Sequence, residues 1–339
     1  MDVMRYVLSI LVFSNHFFFL TDSGLIGTIR GGVQPCFFAL SGFLAYRSYE
    51  KSKGYADYLI KRLARLMPLY LIVVVGFAIG LSLAGTLPLY EYFTDAGFWK
   101  YLGANALTLN FLEPALPGVF TGDRFLTSAV NGSLWTMKVE LLLTLTYPAV
   151  ELFFKRFGHN KVLTAVIILS IAYVLVMNHM YQATERILYD IMARQFIGQA
   201  YVFYIGMLIY LNLDYFLRHK WQILAAIGVS TLLLVMVLDY NIVVRFAILA
   251  TTIIWLSVVG DWGKRLSHHD NLSYGIYLCH FPIIQLVVMA GLPAIVPTGL
   301  LFILTLAVVV ILAAMLVPPA NRLSKRLMER IPKKSSVSR

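Results

Sequence analysis

Charge is what this chain has least of. Only 13% of its 339 residues are Asp, Glu, Lys or Arg, whereas 59% are hydrophobic and the mean hydropathy is +0.76. A soluble domain of this length carries more charge, because its surface must be wetted, so a water-soluble globular enzyme is excluded. Acidic residues are scarcer than basic ones, 17 against 28. That excess is not a nucleic-acid footprint, because the basic residues fall in short stretches between apolar runs, the pattern of loops kept on the cytoplasmic side of a membrane. Cysteine is limited to Cys36 and Cys279. Both lie in apolar runs, offer neither a disulfide framework nor metal-ligand spacing, and read as small packing residues. A signal peptide is not expected either: the first apolar segment starts at Val3 without a basic leader or a small-residue cleavage site, and reads as the first span.

What is abundant is apolar sequence in runs of membrane-crossing length, about 20 residues each. The candidate spans are 3–20, 30–46, 66–86, 134–154, 161–179, 196–213, 220–238, 241–259, 271–292 and 297–317. Alternate connections hold Arg47, Lys51, Lys53, Lys61, Arg62 and Arg65, then Lys155, Arg156 and Lys161, then Arg218 and Lys220, then Lys264 and Arg265; the C-terminal tail adds more. The other connections hold only Arg30, Lys100, Arg124, Arg186 and Arg194. The expected fold class is therefore all-α, a polytopic membrane helical bundle of about ten transmembrane helices with both termini cytoplasmic. Within 87–133, the run TLNFLEPALPGVF is apolar but broken by Glu113, Pro114, Pro117 and Gly118. Counting it as a span would invert every later connection, so the segment reads as a long outer loop packed over the bundle. Residues 180–195 read as a second, amphipathic outer loop. The expected division is a transmembrane domain over 1–318 and a short basic cytoplasmic tail over 319–339, suited to anionic lipid headgroups.

Ionisable residues inside a membrane are costly, so each one is a candidate for function. Arg5 and His16 share the first span. Between them a helix makes about three turns and rises about 16 Å, so both project from one face. Arg5 alone is explained as a snorkelling anchor, and His16 alone by an interhelical hydrogen bond. In NGSLWTMKVELLL, Glu140 falls roughly 12 Å below the outer surface and His16 roughly 20 Å above the inner one. In a hydrocarbon core about 30 Å thick the two are at matched depth, which points to a carboxylate that orients or polarises an imidazole. The plain alternative, a Lys138–Glu140 ion pair, is disfavoured because residues two apart on a helix face different ways. In LSYGIYLCHFPIIQ, Ser273, Tyr277 and His280 fall on one face, a polar stripe suited first to a hydrogen-bonded helix interface and second to a direct role. Arg62 and Arg65, at i and i+3 where the third span begins, suit phosphate groups of lipid or of a phosphorylated cofactor. Arg245 is explained by outward snorkelling, and His268, His269 and Asp270 by a solvated turn.

Taken together, these stretches resemble the acyltransferase 3 family of integral-membrane acyltransferases, and the resemblance runs through most of the chain. DVMRYVLSILVFSNH is similar to the family's D-x-x-R and R-x10-H, here Asp2, Arg5 and His16. GGVQPCFFALSGFLAYRSY resembles its Gly-Val-x-x-Phe-Phe-x-Leu-Ser-Gly-Phe-Leu signature, with Gly32, Phe37, Phe38, Ser41, Gly42 and Phe43 in register. Arg62 and Arg65 match its R-x-x-R, with Pro68 following. NGSLWTMKVE is similar to the Trp-Ser/Thr-Leu-x-x-Glu segment, and LSYGIYLCHFP to the Ser-Tyr-x-x-Tyr-Leu-x-His-x-Pro segment. The departures are Pro35–Cys36, where an acidic and an aliphatic residue are common, and Met137 in place of Leu. No extracytoplasmic hydrolase-like domain follows the spans, so the stand-alone form is expected.

The resemblance implies transfer of an acyl group, usually acetyl from acetyl-CoA as co-substrate, to a hydroxyl of a surface polysaccharide or lipid-linked saccharide, in a bacterial inner membrane. No metal and no nucleic acid are expected; membrane lipids are. Arg5, Arg62 and Arg65 would hold the CoA phosphates, and His16 would act as general base or as a transient acyl carrier. Glu140 would hold the tautomer of His16. Ser41 and the backbone near Gly42, in a Ser-Gly-Phe turn, would approach the reacting carbonyl. Trp135, Tyr277 and His280 would support the substrate or the structure. Two other classes fit parts of the pattern. A secondary transporter of a small solute or glycolipid would also have about ten spans with polar residues at mid-depth, but its inverted repeats and discontinuous helices are not evident. A scaffold that moves glycolipid without chemistry would tolerate His16→Ala.

Overall fold

A computed structural model describes residues 1–23, 33–237, 241–260 and 272–329. Arg30, Gly32, Lys264, Arg265, His268, His269, Asp270 and the tail from Arg330 onward lie outside the described residues. Among the described residues the chain is all-helical, with no strand: α1 (Asp2–Leu20), α2 (Gln34–Glu50), α3 (Tyr55–Gly80), α4 (Leu89–Thr94), α5 (Ala96–Ala106), α6 (Trp135–Phe157), α7 (His159–Thr184), α8 (Ile187–Ala193), α9 (Phe196–Leu211), α10 (Leu213–Arg218), α11 (Lys220–Met236), α12 (Ile242–Val259), α13 (Leu272–Met289) and α14 (Thr298–Glu329). A helix occupies the described part of each of the ten segments read as spans. Six are long and apolar enough to cross a membrane: α1, α3 with its extension to Leu83, α7, α12, α13 and α14.

Local sequence explains where these helices start, stop and bend. Pro35 stands in the first turn of α2, where its missing N–H costs no helical bond. Asn241 caps α12, its side-chain oxygen accepting from the N–H groups of Val243 and Val244. Gly158, at φ 80°, makes the tight break between α6 and α7 that a residue with a side chain disfavours. Between α5 and α6 the Pro- and Gly-broken run forms no regular helix, as its composition foretells. The segment 180–195 is less of a loop than expected: α7 continues to Thr184 and α8 follows. At the other end, α14 runs through Pro318 and Pro319 to Glu329, so the described part of the basic tail is helical.

The chain divides into two compact units. One contains Met1–Leu8, Val33–Leu59 and Val139–Ser267. Its centre is the packing of α2 on α9, where glycines replace side chains at the contact. A Cβ at Gly42 would lie 1.8 Å from the carbonyl oxygen of Phe203, and one at Gly206 would lie 2.0 Å from that of Ala39. Small residues allow this close backbone approach, which is how helices associate where lipid removes the hydrophobic drive. The Ser-Gly-Phe stretch is therefore not the turn the sequence proposes. It lies inside α2, and α9 fills the space beside Gly42.

The other unit contains Ser9–Gly32, Ile60–Lys138 and His268–Arg339. Here α13 is the central element; most of its residues are buried, and it packs along α14. Gly275 makes that contact possible, since a Cβ there would lie 2.9 Å from the side chains of Ala313 and Val317. Phe13 and Phe17 of α1 add edge-on ring contacts to Phe302 of α14.

Candidate active site

The polar stripe on α13 becomes a set of interhelical hydrogen bonds. The hydroxyl of Ser9 on α1 donates to the Ser273 carbonyl at 2.8 Å. One turn on, the Tyr277 hydroxyl lies 2.7 Å from that of Thr136 and donates to the Ser133 carbonyl at 3.1 Å. Another turn on, Nε2 of His280 lies 2.8 Å from Nδ1 of His16, with ring centroids 5.0 Å apart and an interplanar angle of 25°. His280 is fully buried and His16 is half-buried. The edge of Phe281 closes another side of the His16 ring, at 5.3 Å between centroids.

Proline explains a second part of this network. Pro282 has no N–H, so it leaves the carbonyl of Leu278, one turn earlier, without its helical donor. The side-chain amide of Asn131 supplies that donor at 2.7 Å, and the Asn131 oxygen accepts from the Ser133 hydroxyl at 2.6 Å. Gln285 donates to the carbonyls of Thr127 and Ala129 at 2.8 and 3.2 Å. Gly132 lies so close to Phe281 that a Cβ there would be 2.7 Å from the ring. The irregular segment before α6 is thereby tied to the helix that carries His280. Sequence reasoning missed Ser9, Asn131, Ser133 and Gln285; only the position of Pro282 signalled that a side-chain donor was needed nearby.

Ser41 and Glu140 are brought together in the other unit. The buried Ser41 hydroxyl donates to the Glu140 carboxylate in a short hydrogen bond. The sequence assigns Glu140 to the tautomer of His16; in the structure Nδ1 of His16 meets Nε2 of His280. Lys138, the other partner considered for Glu140, lies over the Phe111 ring with its ammonium 4.2 Å from the centroid. Arg5 and His16 share α1 as expected, and a guanidinium nitrogen of Arg5 lies 3.8 Å from Asp2. Arg62 and Arg65 share α3, one half-buried and one exposed, and Trp135 opens α6, half-buried. Among the described residues, no group of three or more His, Cys, Asp or Glu side chains converges to hold a metal ion.

A cavity of about 400 Å³ lies elsewhere, lined by Phe77 and Leu81 beside Leu286 of α13 and Leu312 and Leu316 of α14. Its lining is apolar side chains and glycine, which suits hydrocarbon and gives nothing to hold a phosphate or a sugar hydroxyl.

Among the described residues six helices are long and apolar enough to cross a membrane, two of them joined by a pair of imidazoles, which fits an integral membrane protein. Residues 1–317 match the model of the acyltransferase 3 family, described as an acyltransferase domain, and the chain belongs to that family. Nodulation protein 10 of Rhizobium leguminosarum bv. viciae is 34% identical over 119 residues, which cover 33% of this chain and 30% of that protein. No solved structure matches the chain.

Proposed function

We propose that this protein is an O-acetyltransferase of a bacterial inner membrane, moving an acetyl group from cytoplasmic acetyl-CoA to a hydroxyl of a surface polysaccharide or lipid-linked saccharide. The observation that carries the reading is a half-buried imidazole inside an apolar helix, backed by a second, fully buried one. Ionisable groups persist at such a position when chemistry needs them. The reading includes a topology of ten spans with both termini in the cytoplasm, which the distribution of Lys and Arg supports.

A thioester donor supplies an activated acyl carbon and a thiol leaving group. The chain's own residues do the rest. Arg5, Arg62 and Arg65 hold the phosphates of the donor. His16 takes the proton that the acceptor hydroxyl gives up as its oxygen attacks, then releases it to the departing group. Ser41 and Glu140 form a second polar pair, held by their own hydrogen bond.

The test is transfer of labelled acetyl from acetyl-CoA to glycolipid or polysaccharide in native membranes, with and without the protein. Label that depends on the protein supports the reading. If acetyl-CoA and other acyl-CoA donors all leave the glycans unlabelled, the transporter reading replaces it.

A further inference from the structure

The two histidines are joined by specific nitrogens, and those nitrogens determine where the protons are. Nδ1 of His280 lies 2.7 Å from the carbonyl oxygen of Tyr277. A carbonyl oxygen only accepts, so Nδ1 of His280 carries the hydrogen. In the neutral ring Nε2 is then a bare acceptor. That Nε2 faces Nδ1 of His16 at 2.8 Å, so Nδ1 of His16 must be the donor. In neutral His16 the lone pair is left on Nε2.

We infer that His280 is the positioning residue for His16: through the chain Tyr277 carbonyl, His280 ring, His16 ring, it fixes the tautomer that leaves Nε2 of His16 as the proton acceptor. This rests on the reading of His16 as the base and names what makes it one. In many enzymes a carboxylate performs this task for a catalytic imidazole. Here a second imidazole does it, and its own orientation comes from a backbone carbonyl. The arrangement spares a buried ring a carboxylate's charge on this side, where the edge of Phe281 closes the His16 ring.

The supporting frame explains why His280 can be specific. It is fully buried, and its helix is held in place one turn earlier by the Tyr277 hydroxyl at Thr136 and Ser133. Asn131 holds the Leu278 carbonyl that Pro282 frees. A small rotation of α13 would break the 2.8 Å contact, so these bonds fix which nitrogen of His280 meets His16.

The test uses full-length protein in membranes and in detergent, with variants His280→Gln and His280→Leu. Glutamine places an amide oxygen near the position of Nε2 and can still accept from Nδ1 of His16; leucine cannot. His280→Leu is expected to lower kcat about a hundredfold, the scale of a general base's contribution, with the KM for the acyl donor unchanged. His280→Gln is expected to recover most of that loss. Histidine labelled with ¹⁵N, with the His16 signal identified by its loss in His16→Ala, reads the tautomer without any turnover. The wild type should show His16 protonated at Nδ1 and bare at Nε2. His16 protonated at Nε2 in the wild type overturns the inference, and so does His280→Gln as inactive as His280→Leu when both insert normally. If His16→Ala retains activity while the ¹⁵N signature is as expected, the assignment of the base fails and the tautomer assignment stands.

Discussion

Gly42 separates two accounts of the Ser-Gly-Phe stretch, and its replacement by alanine discriminates between them. An added Cβ would lie 1.8 Å from the Phe203 carbonyl oxygen, where Cβ contacts below 3.0 Å are essentially never observed. The obstacle is backbone inside α9, which has no rotamer to change, so the two helices must separate by about 1.2 Å. Such a gap forfeits roughly half of the dispersion energy across the seam, and overpacking of this kind costs about 3 kcal/mol or more. At roughly 2 °C per kcal/mol for a chain of this size, the thermal midpoint in detergent should fall by about 6 °C. The protein that remains folded at low temperature should keep kcat and KM within about twofold of the wild type. A Gly42→Ala protein with an unchanged midpoint and a collapsed kcat would refute the seam and return Gly42 to the reacting carbonyl.

Three other outcomes follow from the same reasoning. Gly76→Ala is expected to be neutral or to stabilise by about 0.5–1 kcal/mol, because a Cβ there meets nothing within 4 Å and alanine is the better helix former; thermal unfolding beside Gly42→Ala provides the check. Asn131→Ala leaves the Leu278 carbonyl buried without the donor that replaces Pro282's missing N–H, and should lower stability by about 1–3 kcal/mol, measured by the same melt. Arg65→Ala should raise the KM for the acyl donor about tenfold and leave kcat near the wild-type value, since it removes binding shared by ground and transition states; initial rates at varied donor decide it.

Much of the fold was legible because lipid simplifies the code. A run of about 20 apolar residues has one stable solution in a bilayer, and a helix occupies the described part of each such run here, six of these helices being long and apolar enough to cross. The stripe Ser273, Tyr277 and His280 was legible as well, since helical periodicity alone puts those residues on one face, and the structure uses that face for interhelical bonds. What could not be read was which side chain meets which. His16 and His280 are 264 positions apart, and nothing local to either selects the other over Glu140. Matched depth is a weak constraint, because several helices present groups at the same level. The Ser-Gly-Phe stretch was misread for a related reason: glycine permits a turn and a close helix crossing equally, and only the partner helix decides between them. Asn131 lies outside every apolar run, so no periodicity marked it, although Pro282 implied that a carbonyl needed a donor.

The central claim is that His16 is the base of an acyl transfer, and the most direct measurement compares wild type with His16→Ala. Both would be assayed at equal protein levels in the same membranes for labelled acetyl passed from acetyl-CoA to glycan. The account predicts that His16→Ala inserts normally, melts within a few degrees of the wild type and transfers acetyl at least a hundredfold more slowly at saturating donor. Transfer within about twofold of the wild type would contradict it.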